Sequence, residues 1–296
     1  MKTWLVALAI VPVALLAQSV TAADSSDGTK TSAASSTKVL VTKAQPLGKG
    51  RVWVYVALDG SDVPLALGVS MEKSALEGLP DHPNTRSRCF DKNGDGKLDA
   101  SECIGDYELV FQIPPDAPRA LPFKWVGLNW NPHGHPHPAP KPYAEPHFDF
   151  HFYMADRAAV SKLRPGACGE LIDCDDFKRA TKPVAARYVH AHHINVGAAV
   201  PDMGNHLIDS KSPELAPGGR FTHTFIYGAY DGRITFYEPM ITHAYLASGP
   251  AMCAPIKQPQ AWAAEGAYPT RYCVRYSAQS ARYTVSLEGF VRRTGS

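Results

Sequence analysis

Apolar and polar side chains alternate without a break from His147 to Tyr153 (HFDFHFY), which is the pattern of a β-strand. Phe148, Phe150 and Phe152 then share one face and can anchor it in a core. His147, Asp149, His151 and Tyr153 share the other. Further strand-like runs cover residues 39–42, 51–58, 63–69, 106–113, 123–130, 221–230, 234–238 and 283–291. β-branched and aromatic residues dominate the clearest of them, RVWVYV from Arg51. Tyr230-Asp231-Gly232-Arg233 carries the Asp-Gly signal of a tight hairpin. Short helices are predicted over 70–79, with Ser70 as cap, over 155–163 and over 175–181. Many short strands with Gly and Pro turns predict a mainly β domain, a β-sandwich or barrel-like fold with a few short helices.

The first 22 residues read as a secretory signal peptide, with Lys2, an apolar run over 4–17 and a small-residue cleavage site at Val20-Thr21-Ala22. That run is shorter than the roughly 20 residues a membrane span needs, and no later run is longer. No membrane span is therefore expected after signal removal. Residues 23–37 are rich in Ser, Thr and Ala and read as a disordered lead-in. Residues 38–296 then read as one domain with an insertion at 89–103. Lys and Arg number 30 against 28 Asp and Glu, scattered along the chain, so nothing points to nucleic acid as a partner. No G-x-S-x-G elbow, Walker loop or G-x-G-x-x-G is present, which argues against a serine hydrolase or a nucleotide enzyme.

All six cysteines follow the leader. In an oxidising compartment an even count predicts disulfides. Pairing nearest neighbours gives Cys89–Cys103, Cys168–Cys174 and Cys253–Cys273. Zinc-thiolate binding is the alternative, and it lacks the usual C-x-x-C pair.

The most specific motif runs from Asp91 to Glu102, DKNGDGKLDASE. It fits the EF-hand calcium loop at each diagnostic position. Asp91, Asn93 and Asp95 offer side-chain oxygens, Gly96 permits the sharp turn and Lys97 offers its carbonyl. Asp99 sits where a ligand acts through water, and Glu102 can bind with both oxygens. Pro80 and Pro83 upstream argue against a long entering helix, and a strand-like run follows. The expectation is a single structural Ca²⁺ loop stapled by Cys89–Cys103. An acidic surface loop is the plain alternative.

Two imidazoles and a carboxylate on one face of the 147–153 strand are costly to bury unless something pairs with them. A divalent ion, zinc or another transition metal, would do so. Residues four apart on a strand stand about 13 Å apart, so His147 and His151 cannot share an ion on a regular strand. Asp149 can serve either. His206, and Glu238 before Pro239, are the candidate ligands from elsewhere. The simpler reading of this group is a hydrogen-bonded polar cluster. For His133, His135 and His137 in the Pro/His-rich loop it is solvated imidazoles, and for His190, His192 and His193 it is exposed or satisfied ones.

The PHFDFHFY block at Pro146, the upstream VGLNWNPHGH at Val126, and TFIYG, YDG and EPMIT between Thr224 and Thr242 resemble a family of uncharacterised exported bacterial proteins named after a Thermus hypothetical protein. The resemblance spans about residues 51–247. It implies one β-rich exported domain able to form homo-oligomers, and it supplies no catalytic residue. The calcium loop stands as an addition to its pattern.

Together these features predict an exported metal-binding protein with structural calcium and a His/Asp/Glu transition-metal site. A cupin-like metalloenzyme is the alternative, although H-x-H-x(3–4)-E spacing is absent. A non-catalytic interaction module is the third reading.

Overall fold

A computed structural model describes residues 37–86, 88–135 and 142–296. The predicted signal peptide, residues 23–36 of the lead-in, and His137 lie outside the described residues. The strands in chain order are β1 (Lys38–Val41), β2 (Gln45–Leu47), β3 (Gly50–Leu58), β4 (Pro64–Glu72), β5 (Tyr107–Gln112), β6 (Trp125–Asn131), β7 (His147–Tyr153), β8 (Pro165–Cys168), β9 (His193–Val200), β10 (Gly204–Asp209), β11 (His223–Tyr230), β12 (Arg233–Thr242), β13 (Ala251–Pro255), β14 (Gly266–Tyr268), β15 (Arg271–Ser277), β16 (Arg282–Glu288) and β17 (Val291–Arg293). Three short helices, α1 (Arg157–Val160), α2 (Cys174–Ala180) and α3 (His243–Ala247), complete a mainly β fold.

Two antiparallel sheets carry it. One runs β1-β3-β4-β16-β15-β13, with β2 also on β3, and the other runs β5-β6-β7-β12-β11-β10-β9. Alternation explains how they meet. In β3, Val52, Val54, Val56 and Leu58 are fully buried, and they join one apolar cluster with Val69 and Val285. Phe148, Phe150 and Phe152 of β7 enter the same cluster from the second sheet. The aromatic face of the HFDFHFY strand is thus the core face, as its alternation predicts. Its polar face is buried as well, on the outer side of the second sheet, where loops and the cysteine-closed segments cover it.

Local chemistry accounts for the turns. Asp231 (φ 48°) and Gly232 (φ 74°) form the two-residue link between β11 and β12, where both central residues need positive φ. The helix expected over 70–79 does not form. β4 continues through Glu72 against Arg282, and only a 3₁₀ turn, Lys73–Leu76, follows. Ser70 lies buried between Trp53 and Thr284 in the sheet, so strand pairing overrides its capping tendency. The helix expected over 155–163 shrinks to α1. All three disulfides join nearest neighbours, Cys89–Cys103, Cys168–Cys174 and Cys253–Cys273. Such bonds belong to an oxidising, extracytoplasmic setting. No described helix is long and apolar enough to cross a membrane.

Candidate metal centre

Strand register gathers the site. On β6 and β7, Asn129 pairs with Asp149, Asn131 with His147 and Gly127 with His151. Across the other edge of β7, Tyr237 pairs with Phe152 and Met240 with Asp149, so the intervening Glu238 falls opposite His151. His206 reaches the same spot from β10, where it pairs with Gly228 of β11. Beside it the β9–β10 register shifts between His206 and Leu207. The pairing with β11 sets the His206 side chain on the face of Phe236 and Glu238, since Gly228 in turn pairs with Phe236. β7 itself is regular, so His147 and His151 point to different centres, as strand spacing requires.

The first centre holds His151, His206 and Glu238. The two Nε2 atoms lie 3.5 Å apart, and Glu238 oxygens stand 3.5 Å from His151 Nε2 and 3.6 Å from His206 Nε2. Each ring's other nitrogen is occupied. His206 Nδ1 donates to the Ala198 carbonyl at 2.9 Å. His151 Nδ1 donates to Asn129 Oδ1 at 3.1 Å, since the Asn129 amide nitrogen is given to Asp106. Asp106 in turn pairs with buried Arg88. Burial drives the His151 pKa down to about 3 and that of His206 to about 4, so both rings are neutral. Their Nε2 lone pairs therefore face one another and a carboxyl group. Burial, reinforced by the charge of Asp149, pushes the Glu238 pKa well above the usual range, and its Oε2 has no hydrogen-bond partner. Phe236 packs on both rings, with centroids 5.0 Å from His151 and 5.2 Å from His206.

The second centre holds His135, His147 and Asp149. Asp149 Oδ2 accepts from Asn131 at 2.7 Å and lies 3.2 Å from His135 Nε2, while Oδ1 lies 3.1 Å from His147 Nε2. His147 is fully buried, and its Nδ1 donates to the Glu145 carbonyl at 2.6 Å. Burial works against ionisation of Asp149, but the His147 and His135 rings hold its pKa well below the usual value. For His135, burial opposes the charged form and the Asp149 carboxylate outweighs it, raising the pKa.

Among the described residues, three groups of His, Cys, Asp and Glu bring ligand atoms within 4.8 Å of one another. Two are these centres. The third, Cys253, Cys273 and Glu288, has both sulfurs in a disulfide and offers no thiolate. A cavity of about 490 Å³ is lined by His135, Asp149, His206 and Glu238, with apolar Met203 and Met240 among its walls. Cys103, Ile104 and Gly105, just past the Asp91–Glu102 loop, also line it.

The calcium-type loop is folded on its own carboxylates. Asp91 accepts from the Gly94 and Gly96 N–H groups, Asn93 from Asp95, and Asp95 from Lys97. Glu102 is buried and accepts from Lys92 and Asn93. The loop's carboxylates do not form one of the three converging groups.

Of the sequence-predicted site residues, His151, His206 and Glu238 come together. His147 and Asp149 lie in the adjoining group. His135, expected to be solvated, is half-buried against Asp149. The useful signal was connectivity: the loop from β6 to β7 must hang over the end of β7 where His147 begins. His193 instead packs on the Phe225 and Tyr227 rings, on the core face of the sheet. No family model, curated protein or solved structure matches this chain.

Proposed function

We propose that this exported protein binds one zinc-class divalent ion at His151, His206 and Glu238 and presents it to a small molecule in the adjoining cavity. The carrying observation is the spacing of 3.5, 3.5 and 3.6 Å among two Nε2 lone pairs and a carboxyl group that becomes a full acceptor once an ion displaces its proton. A tetrahedral ion with bonds of about 2.0–2.1 Å separates its ligands by about 3.4 Å. Partners on both Nδ1 atoms fix the ring orientation, the usual outer support of a metal-bound imidazole. In this reading Ca²⁺ occupies Asp91, Asn93, Asp95, Lys97, Asp99 and Glu102 and holds the adjoining wall of the cavity in place. The blocks that resemble the exported bacterial family fall on β6, β7, β11 and β12; β7 and β12 carry His151 and Glu238, whereas His206 lies on β10, outside the blocks.

A second reading, a metal-dependent enzyme, draws on the cavity. Two His and one Glu leave a fourth position open, the arrangement of catalytic rather than structural zinc. Elemental analysis of the exported protein tests the first reading. A wild type that holds one equivalent of transition metal more than His206→Ala supports it. A wild type that takes up none after dialysis against Zn²⁺ overturns it. For the second reading, the cobalt-substituted protein should change its visible spectrum on adding azide. An unchanged spectrum means that no coordination position is open.

A further inference from the structure

The His135–His147–Asp149 group contains an arrangement that hydrogen bonds within the protein do not satisfy. His147 Nε2 and Asp149 Oδ1 lie 3.1 Å apart, both are buried, and neither has a hydrogen-bond partner. A carbonyl can only accept, so the bond from His147 Nδ1 to Glu145 places the ring hydrogen on Nδ1. A neutral ring in that tautomer leaves two acceptors facing each other. A metal ion bound by both atoms resolves that opposition, and so does a proton on Nε2 shared with Asp149 Oδ1. His135 supplies a third nitrogen, 3.2 Å from Asp149 Oδ2, from the cavity side. Asn131 donates to that same oxygen and so orients the carboxylate, as an outer partner of a ligand does.

We infer that His135, His147 and Asp149 bind a second divalent transition-metal ion, so that one cavity carries two metal sites. The two are separate. His147 and Asp149 serve one, and His151, with its neighbour Glu238, serves the other. Strand spacing puts the two centres roughly 7–10 Å apart. Ions that share a bridging oxygen sit about 3.5–4 Å apart. The pair is therefore two independent ions flanking one cavity, suited to a small molecule with oxygen donors at both ends. The competing occupant is a proton, which would make His147 an imidazolium paired with Asp149.

The test is a Co²⁺ titration of metal-free, full-length mature protein, with excess Ca²⁺ present to keep Co²⁺ out of the Asp91–Glu102 loop. Stoichiometry is read by elemental analysis and by visible absorption. Two equivalents are expected in the wild type, one in His147→Gln and one in His206→Ala. His135 is half-exposed, so His135→Ala should leave the circular dichroism spectrum unchanged and weaken the second site at least tenfold. One equivalent in the wild type that persists in both His147→Gln and His135→Ala overturns the inference and leaves the His151 site standing. One equivalent lost in both of those variants and kept in His206→Ala upholds this site and overturns the other. Imidazole ¹⁵N spectra give an independent readout. A His147 ring protonated on both nitrogens in the presence of saturating Co²⁺-analogue Zn²⁺ would show that a proton is the occupant.

Discussion

Glu238→Gln separates a metal ligand from a structural carboxyl group. Glu238 is 1 % exposed, sits among neutral imidazoles, and has its pKa raised by burial and by Asp149. Its folded value exceeds its unfolded one, so the native state holds more protons above the ordinary carboxyl range. The stability of the metal-free protein therefore falls as pH rises through the folded value. Gln has nearly the same shape, cannot ionise, and its amide can donate to an Nε2 lone pair. The metal-free variant should match or exceed the metal-free wild type, and this pH dependence should flatten. The metal-bound state should behave in the opposite way. At a hundredfold excess over Kd, metal stabilises the wild type by about 2.7 kcal/mol. If losing the charged ligand weakens binding about 100-fold, the gain at that concentration shrinks to RT ln 2, about 0.4 kcal/mol. For a domain of this size each kcal/mol shifts Tm by about 2–4 °C. The metal-dependent rise should fall from roughly 5–11 °C to about 1 °C. Scanning calorimetry with and without Zn²⁺ at constant Ca²⁺ measures this. An equal metal-dependent rise in both proteins would refute the ligand role of Glu238. So would a metal-free variant less stable by more than about 2 kcal/mol, the cost of breaking a needed buried hydrogen bond.

Gly228→Ala should disturb the same centre indirectly, because a Cβ there would lie 2.1 Å from the Phe236 ring that packs on His151 and His206. Overpacking of this kind costs about 1–3 kcal/mol, and urea unfolding of the variant should show it together with weaker Zn²⁺ binding. Acid should destabilise the metal-free protein early. His193 and His206 have pKa values lowered by burial to about 4, so they bind fewer protons folded than unfolded. That stability is full above pH of about 6.5 and is lost as pH falls toward 4, on the order of 3 kcal/mol for His206 alone, measurable as urea midpoint against pH. Glu102→Gln should abolish most of a Ca²⁺-dependent rise in Tm, about 2.7 kcal/mol at a hundredfold excess over Kd; wild-type melting indifferent to Ca²⁺ removes calcium from the account.

How much of this was legible in the sequence follows from which interactions are local. The period-two alternation of β7 is local, and three Phe rings on one side settle which face enters the core. The 231–232 turn is likewise set by its own two residues. β9 and β10 escaped the pattern because HINVGAAV and GNHLID mix small and polar residues, and pairing, of β10 with β11 and of β9 with β10, makes them strands. Ser70 misled for the same reason, since its cap tendency is weaker than the ladder that holds β4.

The site shows the same division more sharply. Strand geometry alone required that His147 and His151 serve different centres, and it needed no knowledge of the partners. Their partners depend on non-local register. Glu238 meets His151 because β12 runs antiparallel beside β7, and a one-residue slip would turn Glu238 to the core face. His206 meets them because β10 pairs with β11 and sets it opposite Gly228, itself opposite Phe236. The register is pinned from the opposite face, where Phe148, Phe150, Phe152 and Tyr237 pack in the shared core. The aromatic residues that made the strand recognisable are therefore also what hold the polar ligands in line: the core fixes the register, and the register assembles the centre.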